Sequence, residues 1–379
     1  MNIERRDFLK YAGVSVLALG GPMAVSQRAL AAREKEMNIL CWEGYNSADV
    51  LDPFRSAHGA TVKAESLTND PTMINRLRGG ETNVWDLINV NNPWARKVMW
   101  PEKLIRDLDR NRFEGYFDAM LPSFKPPYMW AQSIDREHLI GMAQRFGPYS
   151  FVVNTDKISR QTAEDQGWDL FNDAALTGRY GIQETEDWQI FDICMISGFD
   201  PYKMHTDPEK AKFDETAKRL FKNAALVGDI ATMNQALIAG EIDCYWPGGT
   251  YSCSPARADG NLNIRGVTPK RGPGAGGKGG ISWIEITSLV NNPQLSPLAP
   301  EFLAYVQEPD VAHVVAFAEG TFNPVAQMGN PACFSLFTPE ELDIIQWDSL
   351  EEEMANSIEY DIVPDYERLL ELMTAARRV

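Results

Sequence analysis

From residue 37 onward the sequence alternates short strand-like and helix-like segments, and this alternation restricts the chain to an α/β architecture. Residues 37–42 read as a strand, and Ser47 can cap a helix carrying Asp52, Phe54 and His58. Residues 61–65 alternate as a second strand. Residues 71–78 are helical, with Met73, Ile74 and Leu77 on one face, and residues 85–90 form a third strand. Strand, helix, strand, helix, strand predicts a parallel sheet with right-handed crossovers. The pattern resumes after Gly147-Pro148 with a strand over 149–153 suited to cross between lobes. Next come a strand at Gly181, an acidic cluster at Glu184, Glu186 and Asp187, and helices over about 187–193, 214–226 and 230–239. Residues 241–246 and 281–290 are strands, residues 300–305 and 311–318 helices, and residues 364–377 a terminal amphipathic helix.

The start of the chain reads as an address. Arg5, Arg6 and Lys10 precede an uncharged stretch over 11–27, and Ala29-Leu30-Ala31 is a small-x-small cleavage pattern, so cleavage is expected after Ala31. Arg5-Arg6 followed by Phe8-Leu9-Lys10 resembles a twin-arginine signal, with Glu4 where Ser or Thr is usual. The exported protein is expected in the periplasm. The net charge is −17 for the whole sequence and −19 without residues 1–31. A chain this acidic is a poor partner for nucleic acid and attracts cations at long range. The remaining length suggests two domains. Five cysteines fit no zinc spacing. Cys244 and Cys253 could pair, and buried free thiols are the alternative.

No catalytic constellation emerges. Residues 270–280 are Gly-rich, but Lys278 is followed by Gly279, so no phosphate-binding P-loop can be drawn. None of the four histidines makes a metal or triad pattern; His58, His138 and His205 are read as surface groups and His313 as packed in an apolar helix. No nucleophile elbow occurs, and no cofactor is called for. The enzyme alternative is a secreted protein using paired carboxylates such as Glu186 and Glu285.

Aromatic and acidic residues recur instead at strand ends. Trp42, Glu43 and Tyr45 follow the first strand, and Asn91, Asn92 and Trp94 follow the third. Glu186 and Asp187 follow the strand at Gly181, Trp246 ends another, and Trp283 and Glu285 lie in the strand after the Gly-rich segment. In open α/β sheets ligands sit beyond the carboxyl ends of strands. Aromatic faces attract cations and carboxylates accept hydrogen bonds from ammonium groups, so this set suits a protonated amine. Trp85 and Trp100 are read as core, and Glu351, Glu352 and Glu353 as a solvated face.

Several of these segments resemble the periplasmic spermidine/putrescine-binding proteins of ABC importers: Trp42-Glu43-Gly44-Tyr45, Trp85-Asp86-Leu87-Ile88, Tyr245-Trp246-Pro247-Gly248-Gly249, Ser282-Trp283-Ile284-Glu285 and Gly320-Thr321-Phe322-Asn323-Pro324. The chain departs from them in having Thr321 for an aromatic and Glu285 for an aspartate. The resemblance implies a two-lobed periplasmic-binding-protein (Venus flytrap) fold, each lobe a mixed sheet flanked by helices, joined by crossing hinge strands. Lobe one is expected over 37–147 plus 284–329, and lobe two over 148–283 plus 330–379. It further implies a monomer that closes on a polyamine-like small-molecule cation and delivers it to an ABC permease in the membrane. Trp42, Glu43, Tyr45, Asn91, Asn92, Glu186, Asp187, Trp246, Trp283, Glu285 and Thr321 are the ligand-binding residues so expected, with Glu285→Gln weakening amine binding. Other solutes open to the same architecture are opines, quaternary amines, phosphonates and iron.

Overall fold

The computed structural model describes residues 33–67, 69–125 and 130–378; the twin-arginine signal and cleavage site expected over residues 1–31 lie outside them. Among the described residues ten strands form one sheet: eight follow one another in the order β2 (Thr61–Ser66), β1 (Glu36–Cys41), β3 (Leu87–Asn91), β9 (Gly280–Leu289), β4 (Met142–Asn154), β7 (Cys244–Gly249), β5 (Tyr180–Gln183), β6 (Leu226–Gly228), and off this path β10 (Ser357–Glu359) pairs with β9 and β8 (Ile264–Val267) with β4. β1 (Glu36–Cys41), β2 (Thr61–Ser66) and β3 (Leu87–Asn91) pair in parallel, joined by helices Ala48–His58 and Asp70–Arg78, as the alternation predicts. On the far side β5 (Tyr180–Gln183) pairs in parallel with β6 (Leu226–Gly228) and β7 (Cys244–Gly249).

Two long strands tie these halves together. β4 (Met142–Asn154) and β9 (Gly280–Leu289) are buried along their whole lengths and antiparallel to each other. β9 also pairs with β3 near its end, bringing Asn91 opposite Glu285, and with β10 (Ser357–Glu359) at its start. The later part of β4 pairs with β7 and β8 (Ile264–Val267). The sheet is continuous because the two crossing strands bond to each other.

The apolar interior is nonetheless divided. One cluster gathers side chains from Met37 to Phe146 and from Ile284 onward; the others gather Phe151 to Ile281 and Ile358 to Ala376. Cys333, Phe337, Ile345 and Leu350 join the first cluster. The intervening segment also reaches the other side, since Gln346 bonds the backbone of Gly266 and Arg265 pairs with Asp348. All five cysteines are buried, and none of them is in a disulfide. Two surface readings are corrected. His205 is buried against Asp365. Glu353 is only 4% exposed and accepts from Ser349 and Thr268. Among the described residues no helix is long and apolar enough to cross a membrane.

Candidate functional site

The strand ends of both halves face a cavity of about 530 Å³. From the first half it is lined by Trp42 beyond β1, Asn69 and Asp70 beyond β2, and Asn91 at the end of β3. Asp70 opens the helix Asp70–Arg78, whose cap is Asn69, and is 3% exposed. The Trp42 indole donates to Asp70 Oδ1 at 2.6 Å and the Asn91 amide to Asp70 Oδ2 at 2.8 Å. Burial pushes the Asp70 carboxyl up to about 7 against these donors, and the nearby Asp187 adds to the rise.

From the second half come Gln183 at the end of β5 and the turn Glu184-Thr185. Glu186, Asp187 and Trp188 follow at the start of the helix Glu186–Ser197. Asp187 accepts from the Tyr366 hydroxyl, and burial holds its carboxyl above the usual range. Trp188 lies 4.5 Å from Tyr149 and 5.4 Å from Tyr360, centroid to centroid, so three aromatic rings form one wall. Tyr149 donates to Gln183 at 3.1 Å. Asp229, which caps the helix Ile230–Ala239, reaches the exposed side of the cavity.

The crossing strands supply the floor. Trp283 lines the cavity and meets Tyr251 edge-on at 6.1 Å. Glu285 also lines it, but its carboxylate is engaged from behind. Arg145 Nε and Nη2 donate to its two oxygens at 3.0 and 3.1 Å, and the Tyr45 hydroxyl donates at 2.8 Å. Arg145 falls in a bulge of β4, between the paired residues Ala143 and Phe146, which re-aims its side chain inward. It also reaches the Glu43 carbonyl at 2.7 Å and the Thr321 hydroxyl at 3.3 Å.

Of the residues singled out in the sequence, Trp42, Asn91, Glu186, Asp187, Trp283 and Glu285 are brought together on the cavity. Tyr45 and Thr321 stand behind it on Arg145, and Glu43 accepts from Tyr251 through its carboxylate. Asn92 bonds Glu359. Trp246 is elsewhere: it is fully buried, 6.3 Å from Phe171 in the second-half core. β7 runs on to Gly249, so Trp246 is mid-strand, and Tyr251 takes the strand-end place. Asp70, Tyr149, Trp188, Asp229, Tyr251 and Tyr360 were not singled out. The rule that found Trp42 and Asn91 also reaches Asp70, which follows the second strand just as they follow the first and third.

Among the described residues, the lining holds six carboxylates and six Trp or Tyr rings, and no Lys, Arg or His. It is an electronegative, aromatic-walled compartment with one of its acids already neutralised. Residues 49–325 match the model of the bacterial extracellular solute-binding protein family, most of the chain. The chain belongs to that family. The putrescine-binding periplasmic protein PotF of Escherichia coli is 22% identical over 333 residues, covering 79% of this chain and 81% of that one. Among solved structures, the spermidine/putrescine ABC transporter substrate-binding protein PotD of Streptococcus pneumoniae superposes with a TM-score of 0.65 at 16% identity, covering 90% of this chain and 99% of PotD. MotA of A. tumefaciens, solved with glucopine, gives 0.61 at 14% identity over 90% of this chain and 99% of MotA. The fold of this solute-binding protein is thus the periplasmic-binding-protein fold.

Proposed function

We propose that this protein is the periplasmic substrate-binding component of an ABC importer and that it captures a polyamine or a related small organic cation. The composition of the cavity carries this reading: carboxylates and aromatic rings surround a space of about 530 Å³ without a basic side chain among the described lining residues. A protonated amine gains charge-assisted hydrogen bonds from such carboxylates and cation–π contact from such rings. An anion such as a phosphonate would meet six carboxylates and, among the described lining residues, no cationic side chain. The curated relatives named for putrescine and spermidine support the same class. MotA, solved with glucopine, shows that the fold also serves other ligands, so the site chemistry selects among them.

The mechanism is hinge closure of two lobes about β4 and β9, near Gly147-Pro148 and Trp283-Ile284, with no bond chemistry. The closed form is then the shape that the permease recognises. Calorimetric titration with putrescine, spermidine, a quaternary amine, a phosphonate and iron citrate tests the ligand class. Binding of an amine with no response to the anions is expected; tight binding of the phosphonate and none of the amines would overturn it. Unchanged amine on mass spectrometry after prolonged incubation distinguishes binding from turnover, and compaction on amine addition in small-angle scattering tests closure.

A further inference from the structure

Not every carboxylate in the cavity is available to a ligand. Glu285 is locked to Arg145 and Tyr45, and its charge is met inside the protein. Glu184, Glu186 and Asp229 are solvent-exposed at the cavity's edge, where water screens them. Asp70 differs from both groups. It is almost wholly buried and held in place by two neutral donors, Trp42 and Asn91, yet no Lys, Arg or His among the described residues pairs with it. The nearest cation on its own helix, Arg76, is taken by Glu65 and Glu81. What faces Asp70 from the other half is acidic or neutral: Asp187, itself without a cationic partner among the described residues, and the Tyr360 phenol.

Two carboxylates that share a desolvated cavity without a counter-ion cannot both stay ionised at little cost, whereas an entering ammonium removes the conflict. Resting on the proposed amine ligand, we infer that Asp70 anchors the ligand's ammonium opposite Asp187, and that this pair holds a proton in the empty site and releases it as the cation binds. The ammonium arrives with its own protons and keeps them. The proton that leaves comes from the carboxyl and goes to the buffer, so charge and atoms balance. Capture is then favoured by rising pH up to the range where Asp70 is already ionised, consistent with burial lifting its carboxyl to about 7.

The test is calorimetry of the full exported chain with putrescine and spermidine, in phosphate and in Tris, at pH 6 and pH 8.5. The difference in enthalpy between buffers counts the protons exchanged. Release of about one proton per site at pH 6 and close to none at pH 8.5 is expected, with affinity rising about tenfold per pH unit below 7. Asp70→Asn should bind at least about 30-fold more weakly at pH 8.5, in line with losing one partner of a buried charge pair, and should release no proton at pH 6. The exposed Glu352→Gln should match the parent in both. Buffer-independent enthalpy at pH 6 overturns the inference, and needs no variant to fold. So does Asp70→Asn binding within about twofold of the parent, with circular dichroism confirming its fold. A parent protein that binds neither amine instead refutes the proposed ligand class, and Asp70's anchoring role with it.

Discussion

Arg145 and Glu285 lie on the two crossing strands, with side-chain exposures of 1% and 5%. Removing one member of such a pair leaves an uncompensated charge in the interior, a cost of about 3–5 kcal/mol. Glu285→Gln is therefore expected to lower the stability of the ligand-free protein by about that amount in urea denaturation. Arg145→Met combined with Glu285→Gln should recover most of the loss. A single variant as stable as the parent would show that Arg145 finds another partner. The two tryptophans once grouped by sequence position part company in the same way. Trp283 lines the cavity, so Trp283→Ala should weaken amine binding by about 0.5–2 kcal/mol. Trp246 fills the core beside Phe171, so Trp246→Ala should cost about 3–5 kcal/mol of stability and leave the affinity of the folded fraction nearly unchanged. Calorimetry and denaturation on both variants check the contrast.

Strands and helices were legible wherever apolar periodicity was strong: β1, β2, β3 and their connecting helices fall within a few residues of the sequence reading. Ends were less legible, and the site depends on ends. β7 continues through Pro247-Gly248-Gly249, residues that punctuate chains elsewhere, because the backbone here passes close to other backbone. A Cβ on Gly249 would stand 2.5 Å from the Pro148 carbonyl, and one on Gly266 would stand 2.8 Å from the Gly249 backbone. That tertiary contact leaves no periodic trace, which is why Trp246 looked like a strand end. The pairing of Glu285 was hidden for a similar reason, since its partner sits 140 residues away in a bulge. Gly249→Ala must push β4 and β7 apart, and is expected to destabilise by about 1–3 kcal/mol. Gly115 lies exposed within the helix Arg110–Asp118 with open space around it, so Gly115→Ala should stabilise by up to about 1 kcal/mol. Chemical denaturation of the two alanine variants should move in opposite directions.

The whole molecule carries an excess of negative charge, −17 over the sequence, and several of its acids are buried rather than displayed. Burial lifts Asp70 and Glu353 each to about 7, and lifts Asp187 and Asp192 as well. Asp192 is fully buried with no hydrogen-bond partner among the described residues for either carboxylate oxygen, and desolvation raises its carboxyl. A carboxyl with a raised value in the fold binds its proton more tightly folded than unfolded. Its stabilising contribution is complete below the unfolded value, near 4, and is lost as pH rises toward the folded value. Between pH 5.5 and 7.5, Asp70 and Glu353 should each remove about 2 kcal/mol from the ligand-free protein. The acids that their partners hold low, such as Glu81 beside Arg76, titrate below this window and do not offset the loss. The ligand-free protein is therefore expected to melt at a higher temperature at pH 5.5 than at pH 7.5. Asp70→Asn should shrink that difference, because an amide has no proton to lose. Added putrescine should raise the melting temperature more at pH 7.5, where Asp70 is ionised, than at pH 5.5, where binding must first displace a proton. Calorimetric scans of the parent and Asp70→Asn at both pH values decide the matter: equal or higher stability of the parent at pH 7.5 would mean that these buried acids find compensation in the fold.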